Sequence, residues 1–264
     1  MMLETAMAGP FSRKFVPATI PTQVQKVQNY PSKIEILMYG YQKILNEHEK
    51  LRRILLCDSP YDSLVDYVGE RLGSLRLNFT NQELQQFIAV STGCENEKYY
   101  CSLTGAVISY YLQVAHDNGE NNFVLDFHGT KPIDEVACGL QQREGRSLEV
   151  VLRGTVGDSC AYSAIGGTYY IEHAEILCGC NSVKTTFYVE TAGIGLGDYS
   201  SSTFYVERIV NIPLTDIDLA SLATYHTNDS NLRVYLKHND FHLHSPEKWK
   251  VLWEPALRKW ERYP

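Results

Sequence analysis

Three segments of the chain say almost the same thing: Thr168–Glu172 reads TYYIE, Thr186–Glu190 reads TFYVE, and Thr203–Glu207 reads TFYVE again, at offsets of 18 and then 17 residues. A β-solenoid produces such a repeat for a geometric reason. Each coil returns to the same place about 4.8 Å further along, so like residues stack on like and the sequence repeats at the coil length. Side chains alternate across a strand, which sets Thr, Tyr and Glu on one face and the aromatic–aliphatic pair on the other. Tyr170, Tyr188 and Tyr205 are therefore expected directly above one another. The competing antiparallel meander needs connections of about a dozen unstructured residues, which are uncommon.

The same grammar extends on both sides. FVLDF (123–127) and LEVVL (148–152) are short β-rich runs, with turn residues between the runs at Gly145, Gly154, Gly157-Asp158, Gly166-Gly167 and Gly197-Asp198. The stretch VVLRGTVGDSCAYSAIGGTYYIE, residues 150–172, resembles a coil pair of the GXGXG-type right-handed β-helix of glutamate synthase large subunits and formylmethanofuran dehydrogenase C subunits. The resemblance rests on the corner Gly157-Asp158, the pair Gly166-Gly167 before a strand, and Gly193-x-Gly195-x-Gly197-Asp198 one coil later, and it spans about residues 123–212. It implies a scaffold that positions other parts and carries no catalytic residues of its own.

Ahead of the β-rich region the periodicity is helical. Ser32 can cap a helix running to about Leu56, Asp58-Ser59-Pro60 opens a second, and Thr80 with Glu83 forms a capping box ahead of Leu84, Phe87 and Ile88. Leu103–Ala115 reads as a further helix, and the polar run Asp117–Asn122 marks the boundary. At the other end, Leu232–Lys237 and Phe241–His244 read as a hairpin turning at His238-Asn239-Asp240. Ser245-Pro246-Glu247 then starts an amphipathic helix that carries all three tryptophans, Trp249, Trp253 and Trp260. The fold class is thus α+β: a flexible arm (1–30), a helical domain (31–120), a β-solenoid domain (121–215), and a hairpin with a C-terminal capping helix (216–264).

Composition bounds the function. A net charge of −7 disfavours a nucleic-acid binder. No window approaches the roughly 18 apolar residues of a membrane span. The N-terminus does not read as a secretory leader, and seven scattered cysteines suit reduced thiols, so a cytoplasmic location is expected.

Four chemistries can be weighed. Gly193–Gly197 leads into a strand where a phosphate loop would open a helix, so glycines at solenoid corners explain it better. No local pattern selects a nucleophile, base and acid. Glu172, Glu190 and Glu207 would stack as a carboxylate ladder, relieved by Lys184 or Arg208 or by a cation. His238, His242 and His244 are the metal candidate, with Cys178 and Cys180 as thiols that could join them. No cofactor beyond such a divalent metal is implied.

The reading favoured by this pattern is a non-catalytic scaffold or assembly protein that engages a protein partner, or a second copy, through the helical domain and through Trp249, Trp253 and Trp260. The alternative is a metal-assisted hydrolase or transferase built on the His-rich hairpin and the glutamate ladder.

Overall fold

The computed structural model describes residues 32–57, 60–193, 195–210, 223–229 and 240–261. The arm, Leu232–Lys237 and His238 lie outside them.

Two capping boxes start the helical part as the sequence indicates. Ser32 Oγ accepts from Glu35 N while Ser32 N donates to the Glu35 carboxylate, opening α1 (Lys33–Leu45). Thr80 and Glu83 repeat the device at α4 (Asn81–Ser91), and Lys33 Nζ reaches Glu83 at 2.9 Å to join the two starts. The single helix expected from Ser32 to Leu56 is two. Asn46 Nδ2 donates to Gln42 O at 2.9 Å, competing with the backbone, and the chain restarts as α2 (His48–Leu55). Helix α3 (Pro60–Leu72) follows, then, after α4, α5 (Tyr100–Asp117), which is buried on nearly every side and so carries apolar residues all round.

The TYYIE repeat folds as its spacing demands. Among the described residues, seven strands form one sheet in chain order, every neighbouring pair parallel: β1 (Asn122–Asp126), β2 (Glu149–Val156), β3 (Thr168–Ala174), β4 (Val183–Ala192), β5 (Ser201–Ile209), β6 (Thr224–Thr227) and β7 (Asp240–Leu243). Thr168, Thr186, Thr203 and Thr224 are register partners, and Tyr170, Tyr188, Tyr205 and His226 stand beside them in one row. The solenoid continues through β6 and β7, past the boundary placed at residue 215. The hairpin expected of Leu232–Lys237 and Phe241–His244 falls partly outside the described residues; within them Asp240–Leu243 forms β7, which runs parallel to β6 as one more rung.

Inside the coils Tyr169, Phe187, Phe204 and Tyr225 are fully buried and stack in order, with Phe187 and Phe204 at 4.6 Å and an interplanar angle of 7°. The corners have a regular secret of their own. Left-handed residues recur at every second position: Glu135, Ala137, Gly139; then Ser159, Ala161, Ser163; then Leu177, Gly179, Asn181; then Gly195, Gly197, Tyr199. The alternation aims successive amides at different neighbouring coils. Ser159 N donates forward to Ile176 O at 2.7 Å and Ala161 N donates back to Val136 O at 2.8 Å. Each non-glycine residue held there costs about 1–2 kcal/mol, offset by these inter-coil bonds. Gly179 shows why the corner is tight: a Cβ there would lie 2.9 Å from the Phe204 ring.

The helical domain closes the first coil. Gln85 accepts from Asp126 N and donates to Asp126 O, both at 2.8 Å, and Asn81 Oδ1 accepts from Val124 N at 3.0 Å. On α5, Ser109 bridges Glu135 O and Cys138 N, and Gln113 holds both backbone groups of Gln141. Amide side chains thus take the part of a preceding strand, which is what an exposed sheet edge needs.

Candidate functional site

The outward face of the sheet concentrates the residues the sequence singles out. Tyr170 stacks on Tyr188 at 5.0 Å, Tyr188 on Tyr205 at 4.6 Å, Tyr205 on His226 at 4.7 Å, and His226 on His242 at 4.8 Å. Five rings follow one another at the strand spacing, as register requires.

The C-terminal helix α6 (Pro246–Glu261) lies along this row and covers it, rather than sitting on the end of the solenoid. Trp249 and Trp253 are buried, stacked on one another at 5.1 Å, and Trp253 rests against Tyr188 at 6.1 Å. Trp249 Nε1 donates to Glu207 Oε2 at 2.5 Å on β5. At the other end Lys259 Nζ meets Glu149 Oε1 at 2.5 Å on β2, and Arg153 donates to Trp260 O. The Trp260 ring is half-buried beside Trp253. The tryptophans therefore face the chain's own sheet. An outward partner on this helix would meet Val251 and Leu257, exposed at 69% and 41%. Substituting Trp253 with alanine removes the ring joining the sheet to the helix. A loss of about 3–5 kcal/mol in folding free energy is expected by urea denaturation.

The three glutamates stand in adjacent rungs, as the register implies, but each has its own partner. Glu172 accepts from Gly154 N at 2.8 Å with His128 Nε2 3.5 Å away, Glu190 pairs with Arg208 at 3.3 Å, and Glu207 takes the Trp249 indole. Arg208 relieves the ladder as its sequence position suggests.

Of the histidine trio, His242 and His244 come together and His238 is outside the described residues. Their companion is His226, whose Nδ1 lies 2.9 Å from His244 Nε2, so one ring donates and the other accepts. Burial, reinforced by His242 and His244, pushes the His226 pKa down to about 4 and keeps that ring neutral near neutral pH. His226 stood alone in the sequence. Its signal is the phase of TYHT, which continues TFYV one coil later.

Cys178 and Cys180 are not near this cluster. They occupy a corner, Cys178 buried against Cys160 and Cys180 with Sγ 2.9 Å from Gly195 O. Burial raises the Cys180 pKa, and the Cys160 contact followed by burial raises that of Cys178, so both stay as thiols. No disulfide joins any of the seven cysteines. Among the described residues, no group of three or more His, Cys, Asp or Glu side chains is arranged to hold a metal ion, and no helix is long and apolar enough to cross a membrane.

The helical domain presents a cleft of about 340 Å³ lined by Leu72, Tyr110, Tyr111 and Val114, with Arg76 at its edge.

No protein-family model, no curated protein and no solved structure matches this chain.

Proposed function

We propose that this chain is a non-catalytic scaffold or assembly protein of a reducing, cytoplasmic setting. One observation carries the reading. The groups that offered chemistry are used to tie coil to coil and coil to helix: Glu172 holds Gly154, Glu190 holds Arg208, Glu207 holds Trp249, and His226 holds His244. Seven cysteines without a disulfide among them support the compartment. The resemblance of residues 123–212 to the GXGXG-type β-helix points the same way, since that domain positions other parts.

The partner is a protein. It would engage the helical domain at the Tyr110 cleft, which has room for one or two anchoring side chains, and the outward side of α6 at Val251 and Leu257. The test is affinity capture from native cells using the full chain and a Val251→Glu/Leu257→Glu variant. A stoichiometric protein partner held by the first and lost by the second is expected. Return of this chain alone, with the purified protein monomeric, would refute the reading.

A further inference from the structure

The two ends of the sheet are treated differently. Side chains of α4 and α5 occupy the backbone groups of the first coil. At the other end, among the described residues, β7 pairs with β6 alone and α6 runs along the flank. His244 N donates to Thr227 O at 2.9 Å, which fixes the phase. In a parallel ladder a residue's N–H and C=O point to the same neighbour and successive residues alternate. Asp240 and His242 therefore address β6, while Phe241 and Leu243 turn their backbone groups away from β6, the side on which no described strand pairs with β7.

We infer that this edge is where a second copy of the chain docks, β7 against β7, antiparallel and centred on Phe241. The reason for choosing a second copy is that the strand is complementary to itself. Asp240 and His242 share one face of β7, 3.5 Å apart within the strand and about half or more exposed, at 66% and 48% of their side chains. An antiparallel pair centred on Phe241 sets Asp240 of each copy opposite His242 of the other, twice by symmetry. It also makes Phe241 face Phe241 in a hydrogen-bonded pair, through the outward backbone groups, and it covers the exposed side chain of Leu243, 51% accessible in the single chain. The inner row Phe204, Tyr225, Phe241 then continues into its own image, and the two sheets join across β7. This contact stands apart from the proposed role as a scaffold, because the purified chain alone decides it.

The experiment is sedimentation velocity on the full-length protein across a concentration series reaching about 100 μM, a range that catches weak specific dimers. A concentration-dependent dimer is expected. Asp240→Lys removes the carboxylate that accepts from the imidazole opposite it and puts a second donor in its place, and should weaken dimerisation by about tenfold or more. Adding His242→Asp sets a carboxylate opposite the new lysine, recreates a cross-strand pair, and should restore the dimer. A wild-type protein monomeric throughout overturns the inference. So does a dimer indifferent to Asp240→Lys, or one that the double exchange leaves as weak as the single variant. Circular dichroism and urea midpoints on each variant separate lost docking from lost folding.

Discussion

Gly105→Ala is expected to detach the helical domain from the solenoid, at a loss above about 4 kcal/mol, in the range reserved for severe steric conflict. Gly105 lies mid-helix in α5, where glycine weakens the helix by about 1 kcal/mol relative to alanine, so propensity alone favours the replacement. Packing forbids it. A Cβ at this position would lie 1.6 Å from the carbonyl oxygen of Asp134 and 2.8 Å from its carbon, both backbone atoms of the first coil. Helix and coil would have to separate, and the Ser109 bridge to Glu135 O (2.7 Å) and Cys138 N (3.0 Å) would open with them. Gly93→Ala is the control: its Cβ meets nothing within 4 Å, and a change within about 0.5 kcal/mol is expected. Urea denaturation of the two variants side by side measures the difference. Equal midpoints would mean that α5 does not press on the coil as described.

The second large effect concerns pH. Glu135 follows Asp134 at the first corner, almost fully buried, with a left-handed backbone at φ 61°. Its Oε2 has no hydrogen-bond partner. Burial, with the neighbouring Asp134 carboxylate adding to it, raises its pKa from 4.5 to about 9, so the folded protein holds this carboxyl protonated at neutral pH. The folded state then binds more protons than the unfolded one between those two values. The stabilisation is complete below about pH 4.5 and is lost as pH rises toward 9, with a ceiling on the order of 5 kcal/mol. Burial raises Asp134 and Glu175 in the same sense. Urea midpoints should therefore fall steadily from pH 6 to pH 9. Glu135→Gln, which keeps shape and removes the titration, should match wild type near pH 5, exceed it at pH 9, and show a shallower slope by up to one proton. Parallel pH profiles for the two proteins would contradict the assignment.

Why some of this could be read from the sequence and some could not is clear residue by residue. The register of Tyr170, Tyr188 and Tyr205 was legible because stacking imposes identity at the coil length, and the capping boxes at Ser32 and Thr80 because two side chains with fixed roles mark a helix start. The corners were legible only in part. Gly195 and Gly197 announce left-handed backbone, but Ser159, Ala161 and Ser163 adopt the same conformation without any residue that requires it. Their conformation is enforced by neighbouring coils, a constraint absent from the local sequence. Likewise the spacing of Trp249 and Trp253 reveals a buried helix face but not its destination. That destination is set by the tyrosine row on the outside of the sheet, which needs cover as much as the tryptophans do. His226 was missed because TYHT is a degenerate copy of its predecessors and because residues 211–222 intervene.

Helix α6 also measures the sheet it lies on. Trp249 is anchored to β5 and Lys259 to β2, ten residues of helix across three rungs. Ten residues rise about 15 Å and three rungs span about 14 Å, so the two lengths agree. Repetitive proteins gain and lose repeats easily, but here a lost rung would leave one anchor hanging beyond the sheet, and an inserted one would pull the anchors out of reach. The terminal helix is a gauge that fixes how many turns the molecule is permitted.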